Sequence, residues 1–168
     1  MFVLLYLGMV YFDQHGGWFA AEVYTPYHSI AELELYVIQP GVDPRGKIIF
    51  DSNCALCHNP DGMGKPNQGP PLVGSEWVLG SPSRLIRIPQ SGLTGPVKVK
   101  DQEYNISTGM AGMGHDLKDD ELAAVLTYMR SSWGNKAAAI TAAQVKAVRA
   151  EVGNRVLPWT AQELEAIP

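Results

Sequence analysis

Asn53-Cys54-Ala55-Leu56-Cys57-His58 is the stretch on which the reading of this chain turns. On a helical turn, positions i, i+3 and i+4 share one face. Cys54, Cys57 and His58 therefore project together, two thiols beside one imidazole. This is the C-x-x-C-H spacing of c-type haem attachment. The thiols can reach the two vinyl groups along one edge of the ring while the imidazole turns under the iron. Covalent attachment then fixes the ring plane relative to His58.

Other chemistry for the same residues is disfavoured. Cys54 and Cys57 are the two cysteines of the chain, so a disulfide framework and a four-cysteine zinc site are excluded by count. His15, His28 and His115 show no ligand spacing that would complete a zinc site. A redox dithiol needs a strand–turn–helix setting with basic neighbours, and neither is evident. The expectation is one covalently bound haem c. A formal charge of −4 and the lack of any Lys/Arg-rich run set nucleic-acid binding aside. No nucleophile–base pair or paired carboxylates stand out, so neither an enzyme nor a small-molecule substrate is expected.

Working outward, Asp43-Pro44 reads as a helix start, Asp as N-cap and Pro at the first position. That helix carries Gly46, Ile49 and Phe50 into the cysteine pair. Residues 59–80, rich in Gly and Pro, read as ordered loop. Ser81-Pro82 opens a short helix (SRLIRI) that ends near Gly92, and Val97–Ile106 alternates as a small hairpin. Asp119–Ser132 is the clearest helix, with Leu122, Val125, Leu126, Met129 and Trp133 on one stripe, three acids in its first turn and Gly134 as its stop. The tail holds a helix from Thr141 to about Arg155 behind a Thr141–Gln144 capping box, and Thr160–Glu163 repeats the signature.

Over about residues 42–135 the chain resembles the class I cytochromes c. Gly46 to Phe50 matches the family's Gly-x-x-x-aromatic helix, and Gly69-Pro70-Pro71-Leu72 its Gly-Pro-x-Leu segment. The resemblance implies an all-α domain in which the Pro70 carbonyl accepts the His58 Nδ1–H bond. It also implies that Leu72 packs on the haem face and that Tyr128 crosses the first helix at Gly46. The ending LTYMRSSWGN resembles membrane-associated bacterial members. Lys118 departs from the Ser or Thr helix cap of relatives.

The family places a methionine thioether opposite the histidine, on a loop before the last helix. Here that loop runs from Thr108 to His115. Related loops read Met-Pro-Pro-x-Gly, and aligning Gly114 with the final Gly puts Met110 at the ligand position. Met113 is the second candidate and His115 the third. Ala111-Gly112 replaces the expected prolines, which implies a more flexible loop. The glycines flanking Met113 point to close approach to a flat ligand rather than to a packed core, whereas Met63 is read as core filling. His/Met ligation suits electron transfer. An open sixth site would instead suit a peroxidase or gas sensor.

Residues 1–12 (MFVLLYLGMVYF) are almost wholly apolar. A helix of that length spans about 18 Å, short of the roughly 30 Å hydrocarbon core of a bilayer. They read as part of a membrane anchor that begins before Met1, or as a short helix buried against a partner. The aromatics from Tyr6 to Phe19 favour the anchor. Residues 13–41 read as a connecting arm and 136–168 as a C-terminal helical extension. Residues 1–44 hold no Lys or Arg, whereas 45–168 are nearly neutral, which points to the periplasmic side of a bacterial membrane. The expected partners are that membrane and a protein donor and acceptor, a respiratory or photosynthetic complex among them.

Overall fold

The first helix begins at Arg45 with Pro44 as its N-cap, one residue later than expected, while Asp43 Oδ1 accepts the Arg45 N–H at 2.9 Å and the Asp43 carbonyl oxygen accepts the Gly46 N–H at 3.0 Å. The computed structural model describes residues 43–105 and 109–168, and all of them fall in the compact unit Pro40–Pro168. The anchor read at 1–12 and the arm read at 13–41 lie outside the described residues. Among those described, no helix is long and apolar enough to cross a membrane.

Helix α1 (Arg45–Asn53) leads through Cys54 into the single turn α2 (Ala55–His58). After the loop come α3 (Glu76–Leu79) and α4 (Pro82–Ser91). Strands β1 (Gly92–Thr94), β2 (Val97–Val99), β3 (Gln102–Tyr104) and β4 (Met110–Ala111) follow, then a 3-10 turn over Gly114–Asp116. The chain closes with α5 (Asp119–Ser131), α6 (Ala142–Val152), β5 (Trp159–Thr160) and α7 (Ala161–Glu165).

The expectation of an all-α domain needs correction. The β2–β3 hairpin forms as the alternation predicts, turning at Lys100 and Asp101, both with positive φ (51° and 64°). A second sheet, ordered β4-β1-β5, has β1 antiparallel to β4 and parallel to β5. Its strands are two or three residues long, too short to leave a period in the sequence. The loop expected over 59–80 also contains α3, whose first turn is capped by Ser75 Oγ accepting the Trp77 N–H at 3.3 Å.

The long helices hold the core. The stripe read on α5 is buried at Leu122, Val125, Leu126 and Met129, and α1 crosses α5 at Gly46. A Cβ on Gly46 would overlap the Ala124 carbonyl oxygen and lie 2.9 Å from Tyr128 Cβ, so only glycine allows this approach. Beside the crossing Phe50, Tyr128 and Trp133 form a three-ring cluster with centroids 5.0–5.5 Å apart, the rings tilted or edge-to-face. Burying a ring such as Phe50 contributes about 1.5–3 kcal/mol.

Helix ends follow their caps. Lys118 offers no side-chain cap, but its N–H is taken by Glu121 Oε2 at 2.8 Å, half of a capping box. At the other end α5 stops at Ser131, ahead of Gly134. Buried Asn135 takes over there: its Nδ2 donates to Met129 O at 2.7 Å and its Oδ1 accepts the Gly74 N–H at 2.8 Å. Both capping boxes of the tail are formed, at Thr141–Gln144 and Thr160–Glu163. Helix α6 ends at Val152, before Arg155, where Gly153 takes φ +58°. Ile140, Val145 and Val148 enter the same core cluster as Phe50 and Leu126, so residues 136–168 share the core of the domain they follow.

Candidate haem site

Cys54 and Cys57 flank the start of α2, Cys54 half-buried and Cys57 exposed, with no disulfide between them. Burial, and secondarily the neighbouring Cys57, push the Cys54 thiol up to about 11. A dithiol poised for redox exchange needs the opposite, a depressed thiol pKa. His58 is buried, and its Nδ1 lies 2.9 Å from Pro70 O. A carbonyl oxygen can only accept, so Nδ1 carries the proton and Nε2 keeps its lone pair. Burial lowers the His58 pKa against the opposing pull of the Pro70 bond, which keeps the ring neutral, as a metal ligand must be.

These groups open into one cavity of about 430 Å³. Cys54, Cys57, His58, Pro70, Leu72 and Met110 all line it, as does Met113. His115 does not; it is exposed, its Nδ1 3.2 Å from Gln90 Nε2. Met63, read as core filling, is 59% exposed and off the cavity wall. That reading is corrected: a methionine between loop glycines had no periodic neighbours to bury it.

Several wall residues went unread from the sequence. Val78 of α3, Leu85 of α4 and Val97 and Val99 of β2 all face the cavity. The two valines were within reach, since they are the apolar positions of the predicted hairpin. Trp77 Nε1 donates to Lys98 O at 2.7 Å, and the Lys100 N–H donates to Glu76 Oε1 at 3.1 Å. These two bonds tie the hairpin to α3 over the cavity.

The methionine loop is packed closely against the end of α4. Met110 pairs with Leu93, and the Met113 N–H donates to Pro89 O at 2.8 Å. A Cβ on Gly112 would lie 2.8 Å from the Ser91 carbonyl carbon, and one on Gly114 2.9 Å from Gln90 Cα. Close approach to a flat ligand was expected at these glycines, but their close neighbour is the backbone of α4. Among the described residues no Asp, Glu, Lys or Arg lines the cavity. Nor do three His, Cys, Asp or Glu side chains gather to hold a bare metal ion. An apolar chamber with one neutral imidazole, two thiols and three thioethers (Met110, Met113 and Met129) fits a flat, largely apolar iron macrocycle.

The cytochrome c family model matches residues 44–133. The chain belongs to the cytochrome c family. Covalently bound haem c follows from that membership and from the Cys54–Cys57 spacing. Among its relatives, cytochrome c-552 of Thermus thermophilus is 35% identical over 109 residues, 60% of this chain and 81% of the relative. The cytochrome c subunit of alcohol dehydrogenase (quinone) from Gluconobacter oxydans strain 621H is 31% identical over 107 residues, 62% of this chain but 22% of that subunit. The gluconate 2-dehydrogenase cytochrome c subunit of Pantoea cypripedii is 33% identical over 110 residues, 62% of this chain and 24% of the subunit. This cytochrome c therefore has its family domain in α1 to α5, with α6, β5 and α7 beyond the matched residues.

Proposed function

We propose that this cytochrome c carries single electrons between protein partners on the periplasmic side of a bacterial membrane. In this reading His58 and Met110 would hold the iron of its one haem c. The observation that carries it is the buried His58, held by Pro70 on the wall of an uncharged cavity that Cys54, Cys57 and Met110 also line. When bound, the haem iron supplies one-electron redox chemistry. The protein's own residues orient and shield. Pro70 fixes the His58 tautomer, while Leu72 and the β2 valines cover the chamber with apolar surface.

Membrane attachment through residues 1–12 is supported by their apolar run and by the absence of Lys and Arg up to residue 44. The dehydrogenase subunits among the relatives support a protein donor, and with it a place beside or within a respiratory complex. The test is spectroscopic and kinetic. The purified protein should be low-spin and six-coordinate in both oxidation states. After reduction with ascorbate it should be reoxidised by membranes of the organism that encodes it, and hydrogen peroxide should not be turned over. A high-spin ferrous form that binds carbon monoxide, with peroxide turnover, would replace the carrier with a haem enzyme or sensor.

A further inference from the structure

The loop that carries Met110 and Met113 lacks the stiffening prolines of related loops, yet it is tied down from outside the family domain. Arg149 lies on α6, beyond the last residue that the family model matches. Its Nη2 donates to Gly114 O and to Leu117 O, each at 2.6 Å. Its Nη1 donates to Asp119 Oδ1 at 2.6 Å and its Nε to Gln90 Oε1 at 3.1 Å. One guanidinium thus joins α6 to the end of α4, both ends of the turn after Met113 and the first residue of α5. The planar fork suits this task, since it presents several donors in fixed directions to carbonyls with no helical partner.

A second tie holds the other end of the loop. Strand β5 pairs Trp159 with Leu93, the residue whose opposite edge pairs with Met110. Trp159 is itself covered by Arg155, whose guanidinium carbon sits 3.7 Å from the ring centroid.

We propose that Arg149 is a positioning residue for the axial methionine: by closing the turn 114–117 onto α4 and α5, it sets how readily the thioether leaves the iron. The inference rests on a methionine of this loop being the sixth ligand, and it holds for Met110 and Met113 alike. Without Arg149, opening the loop no longer breaks its charge-assisted hydrogen bonds, and the opened form is favoured.

The test uses the full-length, haem-loaded, oxidised protein and imidazole as a competing ligand. Loss of the weak near-infrared sulphur-to-iron band reports displacement. Arg149→Met should bind imidazole about tenfold or more tightly than the wild type, the scale expected for losing hydrogen bonds to a charged group. Val148→Ala, a neighbouring core truncation on the same helix, should lower Tm yet titrate like the wild type. Arg149→Lys should fall between wild type and Arg149→Met, and it carries the test if the methionine variant fails to fold. An unshifted titration in the Arg149 variants, or an equal shift in Val148→Ala, overturns the proposal. A wild type without the near-infrared band overturns the methionine reading itself, and the inference with it.

Discussion

Met110 and Met113 are three residues apart on one loop, both half-buried and both on the cavity wall. Met110 belongs to β4 and is held by ladder pairing with Leu93, whereas Met113 is held through its backbone N–H on Pro89. Met110→Ala should abolish the near-infrared band of the oxidised protein and lower the reduction potential, while Met113→Ala should leave both close to wild type. The reverse pattern in the two spectra would move the ligand to Met113. Residues whose chemistry demands a spacing were legible in the sequence. Cys54, Cys57 and His58 must share a helical face, and Pro70 and Leu72 belong to a short family motif. Val78 and Leu85 were not legible as wall residues, because a wall position requires only apolar bulk, which many segments offer. Met63 was misread for a related reason: in a glycine-rich loop nothing in the pattern says which way a side chain turns.

The last short elements depend on a carboxylate. Glu163 caps α7 by accepting the Thr160 N–H at 2.8 Å and pairs with Arg155 Nη2 at 2.8 Å. The Thr160 N–H chiefly, with Arg155 after it, holds the Glu163 carboxyl below its ordinary value of 4.5. Its contribution is therefore complete above about pH 4.5 and is lost as pH falls through the lowered folded value. Amide protection factors over residues 159–165 should drop selectively between pH 5 and pH 3, while those of α5 hold. Glu163→Gln should remove most of that pH dependence; an unchanged profile in the variant would show that another group controls it. Elements with chemical start signals were readable in this way, and both tail capping boxes appear where the sequence places them. Strands β1, β4 and β5 were not readable. Each draws its hydrogen bonds from a partner distant in sequence, and no local propensity records that partner.

At the scale of the molecule, the described residues belong to one compact unit, Pro40–Pro168, with one shared core cluster. A fragment Val42–Pro168 should thus fold by itself, stay soluble and monomeric, and keep a six-coordinate spectrum. If residues 1–41 tether the cytochrome, that fragment should no longer sediment with membranes, whereas the full chain should. A fragment that fails to fold would make the arm part of the core and remove the tether. The sequence reads residues 136–168 as a C-terminal helical extension. Val145 and Val148 nevertheless sit in the core beside α5.

Leu93 pairs on one edge with Met110, seventeen positions ahead, and on the other with Trp159, sixty-six positions ahead. Closing the shorter loop costs less chain entropy, so the first pairing forms readily and the second must wait. Maturation then has an order in time. The β1 edge opposite Met110 closes only when β5 has docked.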